Sequence, residues 1–175
     1  QKATKAMAAP SCKALIAISN CAANMQLDAL TAFPEYSSAI SEKLVVVHPP
    51  QRVLLSPTLR RKEPKHKSLT IMLVGHHFFQ KGGREILSAA QKLREKEFAD
   101  IKLIIVSRIE ADTQASGTSN IDETEMKDIL RDHASWITWH EALPNPKVIE
   151  LMHSCDIGLL PSYAETYGYS VLEFQ

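Results

Sequence analysis

Two acidic residues near the end of the chain have the type and spacing to bind a carbohydrate. Glu165 and Glu173 are separated by the seven residues TYGYSVL. An ionised carboxylate can only accept hydrogen bonds, and sugar hydroxyls can donate them. The alternative is that both glutamates are solvated surface groups, because the chain contains 13 Glu and such a spacing arises by chance. The secondary structure predicted around the pair is therefore needed to choose between carbohydrate binding and a solvated surface position.

The pair is predicted to follow a strand, a loop and the start of a helix. The apolar run at residues 157–160 ends at Pro161-Ser162, which predicts a buried parallel strand that meets a loop. Gly168 then opens a helical pattern in which Tyr169, Val171 and Leu172 can pack. In a doubly wound sheet, ligands bind at the carboxyl ends of the strands and face helix N-termini. Both carboxylates and the free N–H groups around residues 167–170 are thus predicted to face one cleft.

The segment PSYAETYGYSVLE also carries a family resemblance. It resembles the Pro-Ser and Glu-x7-Glu segment of the GT-B-fold nucleotide-sugar glycosyltransferases, in particular the large retaining family 4 (group 1). The resemblance implies that Glu165 contacts the donor sugar and that Glu173 contacts the ribose of a UDP- or GDP-linked donor. The implied donor-binding residues of this segment are Glu165, Thr166, Tyr167, Gly168, Tyr169 and Glu173.

A second motif, GHHFFQKGG at Gly75 to Gly83, lies between the first strand and first helix predicted for the same domain. A lysine before a helix N-terminus can pair with a diphosphate, and glycines let the backbone approach it. The motif is similar to the Gly-Arg-x4-Lys-Gly turn with which the family binds the donor's diphosphate. Gly75, Lys81 and Gly82 match that spacing, whereas His76 stands where an arginine is expected. Whether a histidine substitutes stays open, as does the reading of Lys81 as an exposed cation on a turn.

No metal site is predicted. Side chains of adjacent residues such as His76 and His77 diverge, and no Cys, Asp or Glu follows them at ligand spacing. The isolated His133, His140 and His153 are interpreted as structural. Trp136 and Trp139 are predicted to pack in the core, with a platform for a nucleotide base as the alternative.

Motifs of other nucleotide-binding enzymes are absent from the sequence. It contains no Gly-x-Gly-x-x-Gly, no Gly-x4-Gly-Lys-Ser/Thr and no Asp-x-Asp. With no metal, protein charges alone must stabilise the departing diphosphate. Lys81 is therefore a predicted catalytic residue, and it and the helix start are placed where negative charge develops. The resemblance implies Glu165 as the second catalytic residue, through its contact with the donor sugar.

Composition and charge are those of an ordinary soluble domain. The chain of 175 residues is 45% hydrophobic and 23% charged with zero formal net charge, which does not favour nucleic acid as a partner. No apolar run is long enough to span a bilayer. Three cysteines with no Cys-x-x-Cys pair predict reduced, buried thiols and a cytoplasmic protein. A basic cluster could alternatively contact an anionic membrane surface: Arg60, Arg61, Lys62, Lys65 and Lys67.

The alternation of apolar runs predicts an α/β fold, a Rossmann-like parallel sheet with helices on both faces. Residues 1–11 are predicted to be a frayed arm. Apolar runs at 13–19 and 43–48 predict two strands, the second of them buried, and Ser19-Asn20 can cap a helix over residues 21–31 that Pro34 ends. This β-α-β unit resembles the last unit of the family's N-terminal domain. The predicted boundaries are 1–50 for a remnant of that acceptor-side domain, 51–68 for a linker and 69–175 for the nucleotide-sugar-binding domain. From residue 69 on, strands are predicted at 69–74, 101–106, 136–139 and 157–160, and helices at 82–96, 123–133 and 146–153, with a polar loop at 112–120.

The chain is thus predicted to be a fragment, incomplete at its C-terminus, of a retaining, metal-independent and hexosyltransferase-like enzyme of class EC 2.4. Its acceptor would be a glycan, a lipid or a small molecule. The fragment by itself is predicted to be inactive and to associate with copies of itself through an unpaired sheet edge. The alternatives are a non-catalytic Rossmann-like binding or interaction domain, and a GT-B-fold epimerase or phosphorylase.

Overall fold

The computed structural model describes residues 2–50, 68–96, 100–111 and 117–174. These residues form two compact units. The first contains residues 2–50 together with Glu165–Tyr167, and the second contains the rest. The predicted linker, its basic cluster and most of the predicted polar loop at 112–120 lie outside the described residues. The predicted domain boundaries stay a prediction.

The first unit is built around a pair of parallel strands. Its elements are α1 (Lys2–Ala8), β1 (Leu15–Ala17), α2 (Asn20–Ala29), a 3-10 turn (Leu30–Ala32), α3 (Pro34–Ser41) and β2 (Leu44–Val46). The two strands pair in parallel, with Ile16 opposite Val45. The predicted β-α-β unit is therefore present, and α3 is an additional helix within it.

The predicted frayed arm is wrong, because residues 2–8 form helix α1. Thr4 on this helix is buried. The alanine-rich sequence has a high helix propensity. In addition, the Lys43 ammonium donates hydrogen bonds at 2.9–3.3 Å to the carbonyls of Met7, Ala8 and Ala9. A cation that binds the free carbonyls at a helix C-terminus stabilises that end of the helix.

The predicted cap of α2 at Ser19 is confirmed, and the helix begins one residue before its predicted start. The Ser19 hydroxyl accepts a hydrogen bond from the Ala22 N–H at 3.0 Å, which makes Ser19 the N-cap. The helix ends at Ala29, before the predicted position. Pro34 does more than end a helix, since it is the first residue of α3. Proline is favoured there because its missing N–H would have had no partner within the helix.

The second unit is a four-stranded parallel sheet in the order β5-β4-β3-β6. Its elements are β3 (Leu69–His77), α4 (Gly83–Lys96), β4 (Ile101–Arg108), α5 (Asn120–Asp132), β5 (Ile137–His140), α6 (Asn145–Ser154), β6 (Ile157–Leu159) and α7 (Tyr169–Glu173). The predicted α/β, Rossmann-like fold is confirmed. α5 begins three residues earlier than predicted, because Ser119 and Asp122 form a capping box.

Side chains of β3 pack into two separate apolar clusters. Ile71 and Leu73 belong to the larger cluster, which includes residues of α4, α5, β4 and β5. Met72, between them, packs with Val148 and Met152 of α6. Because successive side chains of a strand point to opposite faces, these clusters cover the two faces of the sheet. Trp136 and Trp139 pack against the larger cluster, as predicted.

Two strands predicted to be buried are exposed. Ile157 and Leu159 of β6 keep 40% and 36% of their surface exposed, and Val45 of β2 keeps 45%. Each of these strands pairs with a single neighbour among the described residues. A short apolar run does not reveal whether its strand lies at the centre or at the edge of a sheet, so the prediction of burial was wrong. The cysteine prediction holds in part: within the described residues none of the three cysteines forms a disulfide, but only Cys155 is buried.

Candidate functional site

β3 continues three residues past its predicted end, so Gly75, His76 and His77 belong to the strand and not to a turn. Val74 pairs with Val106 and His77 with Arg108, which leaves β3 one residue longer than β4 over this stretch. Such a bulge bends a strand and re-aims its side chains. His76 and His77 are both exposed, with Nδ1 of the first 3.2 Å from Nε2 of the second.

The Lys81 side chain lies against the backbone of Gly75. A Cβ atom added to Gly75 would be 2.8 Å from the Lys81 Cγ, 3.3 Å from Cδ and 3.4 Å from Cε. The Lys81 backbone N–H also donates to the His77 carbonyl at 2.9 Å. The structure thus brings together two of the predicted residues, with the lysine stem over the carboxyl end of β3. The glycine at position 75 leaves the room that this stem occupies.

Buried aromatic rings and close contacts at the glycines fix the turn between β3 and α4. Phe78 is fully buried, and Phe79 is 4% exposed. A Cβ atom on Gly83 would lie 2.3 Å from the Phe78 ring. Gly82 has a φ of 74°, and a Cβ atom there would lie 2.5 Å from the Pro161 carbonyl oxygen. The turn therefore packs directly against the residue where β6 passes into its loop.

Tyr163 adds two hydrogen bonds between this loop and the turn. Its backbone N–H donates to the Gln80 carbonyl at 3.0 Å. Its hydroxyl donates to the Glu85 carboxylate at 2.5 Å. That hydrogen bond and the nearby negative charge raise the pKa of Tyr163, because both oppose formation of the phenolate. The two predicted motifs are therefore joined through residues 161–163.

Glu165, Thr166 and Tyr167 belong to the first unit. The Thr166 carbonyl accepts a hydrogen bond from the Ser19 hydroxyl at 2.5 Å, and the Glu165 carbonyl accepts one from the Cys21 thiol at 3.5 Å. The Glu165 carboxylate accepts a hydrogen bond from the Thr166 N–H at 3.1 Å. These contacts place Glu165 and Thr166 at the N-terminus of α2, and the Tyr167 ring lies 6.0 Å from the His48 ring between centroids. Ser19, interpreted from the sequence only as a helix cap, is also the residue that holds Thr166.

α7 differs from its prediction. It is five residues long, Gly168 is its N-cap with a φ of 75°, and no residue in it is buried. Tyr169 and Val171 were predicted to pack but are 44% and 45% exposed. The contact with the sheet comes from Phe174 just after the helix, whose ring would lie 2.4 Å from a Cβ atom on Gly158. A helix this short has a small macrodipole. Its N-terminus therefore contributes less than predicted to stabilising negative charge on a diphosphate.

Comparison with known proteins identifies the family. Residues 56–175 match the family described as "Glycosyl transferases group 1". The chain belongs to this family. Among solved structures it is similar to WaaG, a glycosyltransferase involved in lipopolysaccharide biosynthesis, with 19% identity and a TM-score of 0.58 over 91% of this chain and 41% of that chain. It is also similar to a sucrose-phosphate synthase from Thermosynechococcus elongatus, with 14% identity and a TM-score of 0.54 over 92% of this chain and 38% of that chain.

These likenesses confirm the predicted family and the GT-B fold. The chain spans about two fifths of the length of each of the two structures. No curated protein sequence matches it significantly. Among the described residues, no helix is long and apolar enough to cross a membrane. Nor do the described residues contain a group of three or more His, Cys, Asp or Glu side chains that could hold a metal ion.

The sequence interpretation of this group 1 chain missed Arg108, a charged residue at the carboxyl end of β4. Arg108 ends β4, directly beside His77, and its side chain is 46% exposed. The available signal was an arginine two residues after the apolar run that ends at Val106, at the carboxyl end of a predicted strand. Arg84, also missed, contacts Asp122. Hydrogen bonds from the hydroxyl and backbone N–H of Ser119, and then from Arg84, hold the pKa of Asp122 far below its usual range.

Proposed function

We propose that this chain contains the donor-binding site of a glycosyltransferase that takes a sugar from a UDP- or GDP-linked donor, retains its anomeric configuration and needs no metal. The observation that supports this most is the position of Lys81. Its stem lies over Gly75 at the carboxyl end of β3, in a turn held against the loop after β6 by the Gly82–Pro161 contact. Ligands of parallel α/β sheets bind at this edge, and the chain belongs to the group 1 family.

In the proposed reaction, the bond between the sugar and the distal phosphate breaks and negative charge grows on the departing diphosphate. Lys81 stabilises that charge, and a hydrogen bond to a charged group contributes about 1.5–3 kcal/mol. The backbone at Gly75 and Gly82 leaves room for the phosphates. Glu165 binds the donor sugar, and Glu173 accepts hydrogen bonds from the ribose hydroxyls. Thr166, Tyr167, Gly168 and Tyr169 complete the proposed donor site, with His76 beside the phosphates.

The acceptor is a glycan, a lipid or a small molecule that binds mainly outside this chain. The short coverage of both solved structures supports this, because the chain covers about two fifths of each. We therefore expect no sugar transfer from the 175-residue chain alone. Measurable turnover of UDP- or GDP-sugars by the purified chain would contradict this. We further propose that the protein is located in the cytoplasm. We also propose that the chain associates with copies of itself, because β6 is the last strand of the described sheet and has one paired neighbour there. Light scattering at high concentration tests this, and a monomer would contradict it.

The donor site is tested by calorimetric titration of the chain with UDP, GDP, the corresponding nucleosides and their sugar conjugates. Lys81→Ala should weaken binding of the diphosphates about tenfold and leave nucleoside binding unchanged, since about 1.4 kcal/mol corresponds to a factor of ten. Glu173→Ala should weaken nucleosides and diphosphates alike. Lys92→Ala is the matched control, because Lys92 is an exposed lysine of α4. Indifference of the unaltered chain to every nucleotide would favour the non-catalytic binding or interaction domain.

A further inference from the structure

We propose that Arg108 is a second cation for the donor's diphosphate and acts together with Lys81. This inference rests on the proposed function. A diphosphate carries more than one negative charge, and these charges lie on two neighbouring groups. One lysine, which is a compact point charge, neutralises part of that charge. A guanidinium at the same sheet edge would neutralise more, and its planar fork can donate two parallel hydrogen bonds to a phosphate.

Backbone contacts connect Arg108 to the Lys81 turn. Arg108 is paired with His77 across β3 and β4 at the carboxyl ends of both strands. The Arg108 carbonyl accepts a hydrogen bond from the Phe78 N–H at 3.1 Å, at the point where the turn begins. The His77 carbonyl in turn accepts the hydrogen bond from the Lys81 N–H. Lys81 and Arg108 are therefore both attached to His77, one through a hydrogen bond and the other through strand pairing.

The bulge in β3 explains why this edge is open to a ligand. Regular pairing beyond Val74 would continue β3 and β4 in step, but the extra residue in β3 breaks that register before His77. Bulges are frequent beside binding sites, where they end regular pairing and re-aim side chains. The exposed His76 and His77 and the exposed Arg108 all lie at this interruption.

The Arg108 guanidinium is less engaged by the protein than those of the other three arginines that the structure describes. Arg84 contacts Asp122 and lies over the Phe79 ring. Arg94 donates to the Ile101 carbonyl at 2.6 Å and lies over the Trp136 ring. Arg131 binds Asp128 at 2.6 Å.

The only ion pair that the structure shows for Arg108 within the described residues is with Glu110. The Nη1 and Oε1 atoms of that pair are 3.7 Å apart, which is longer than a hydrogen bond, and both side chains are about half exposed. Exposed ion pairs of this kind contribute little to stability. An anionic ligand could therefore compete successfully with Glu110 for the guanidinium.

The experiment compares Arg108→Gln with Arg131→Gln, an equivalent change on the exposed side of α5. Calorimetric titration with UDP and GDP should show at least tenfold weaker binding for Arg108→Gln and an unchanged affinity for Arg131→Gln. Uridine and guanosine should bind both variants like the unaltered chain. Arg108→Lys should restore part of the lost affinity, and Glu110→Gln should strengthen diphosphate binding because it removes the competing carboxylate. Circular dichroism and urea midpoints verify that each variant is folded.

The outcomes separate this inference from the proposed function. If Lys81→Ala weakens UDP binding and Arg108→Gln stays within twofold of the unaltered chain, the role of Arg108 is wrong and the donor site stands. If Arg108→Gln also weakens uridine binding, Arg108 does not act on the diphosphate and the inference is again wrong. If the unaltered chain binds no diphosphate at all, the proposed function and this inference both fail.

Discussion

The turn after β3 and the segment after β6 are both predicted to bind the same donor, yet the protein constrains them very differently. The turn contains Phe78 and Phe79, both buried, and two glycines whose neighbours leave no room for a side chain. The segment after β6 has exposed residues at Tyr163, Tyr169 and Val171, and its helix buries nothing. The difference indicates two roles. A rigid turn can hold a cation in a fixed position, whereas a lightly packed segment can adjust to a ligand.

A change at Gly82 should have the largest effect on stability, because Gly82 lies in the tightly packed turn after β3. Gly82→Ala puts a Cβ atom 2.5 Å from the Pro161 carbonyl oxygen and forces an alanine to adopt a φ of 74°. Positive φ costs a non-glycine residue about 1–2 kcal/mol, and the backbone contact adds to that cost. We expect a loss of about 2–4 kcal/mol in the free energy of unfolding, measured by urea denaturation.

Gly117→Ala is the matched control for this variant. Gly117 has a φ of 66°, but a Cβ atom there would lie more than 4 Å from any neighbour among the residues that the structure describes. The decrease in the free energy of unfolding for Gly117→Ala should therefore be limited to the conformational cost of about 1–2 kcal/mol. Equal destabilisation by the two substitutions would show that the contact between the turn and Pro161 is not tight.

The sequence predicted the parts of the site that depend on local chemistry and missed those that depend on tertiary contacts. The glycines, Lys81 and the strand before Pro161 follow from residue type and periodicity. The extra residue in β3 does not, because a bulge depends on how a strand pairs with its neighbour. The contact of Ser19 with Thr166 joins residues 147 positions apart, and no local pattern reports such a distance. The exposure of β6 likewise depends on its pairing with a single strand, β3, in the part of the chain that the structure describes.

Gly75→Ala should have an intermediate effect, on binding more than on folding. The added Cβ atom would lie 2.8 Å from the Lys81 Cγ, so the flexible lysine stem must move away. Because no backbone atom is displaced, the free energy of unfolding should change by less than about 1 kcal/mol. UDP affinity should fall about threefold to tenfold, since the ammonium group loses its fixed position.

A double-mutant cycle tests whether Gly75 acts through Lys81. In a Lys81→Ala background the alanine at position 75 has no lysine stem to displace. The further loss of UDP affinity should therefore disappear there. Additive losses in the double variant would mean that Gly75 contacts the ligand directly, and the backbone at the end of β3 would then contribute to binding independently of Lys81.

The smallest effect on the free energy of unfolding is expected in the lightly packed segment after β6, at Val171 in α7. Val171 is 45% exposed and Val148 in α6 is 6% exposed, so the same valine-to-alanine change compares the two helices. Val148→Ala removes two buried methyl groups and should cost about 2 kcal/mol. Val171→Ala should change the free energy of unfolding by no more than about 0.5 kcal/mol, because its methyl groups already contact water. A loss at Val171 close to that at Val148, seen in the same urea titration, would show that α7 is as firmly packed as the rest of the sheet and would remove the contrast between the two loops.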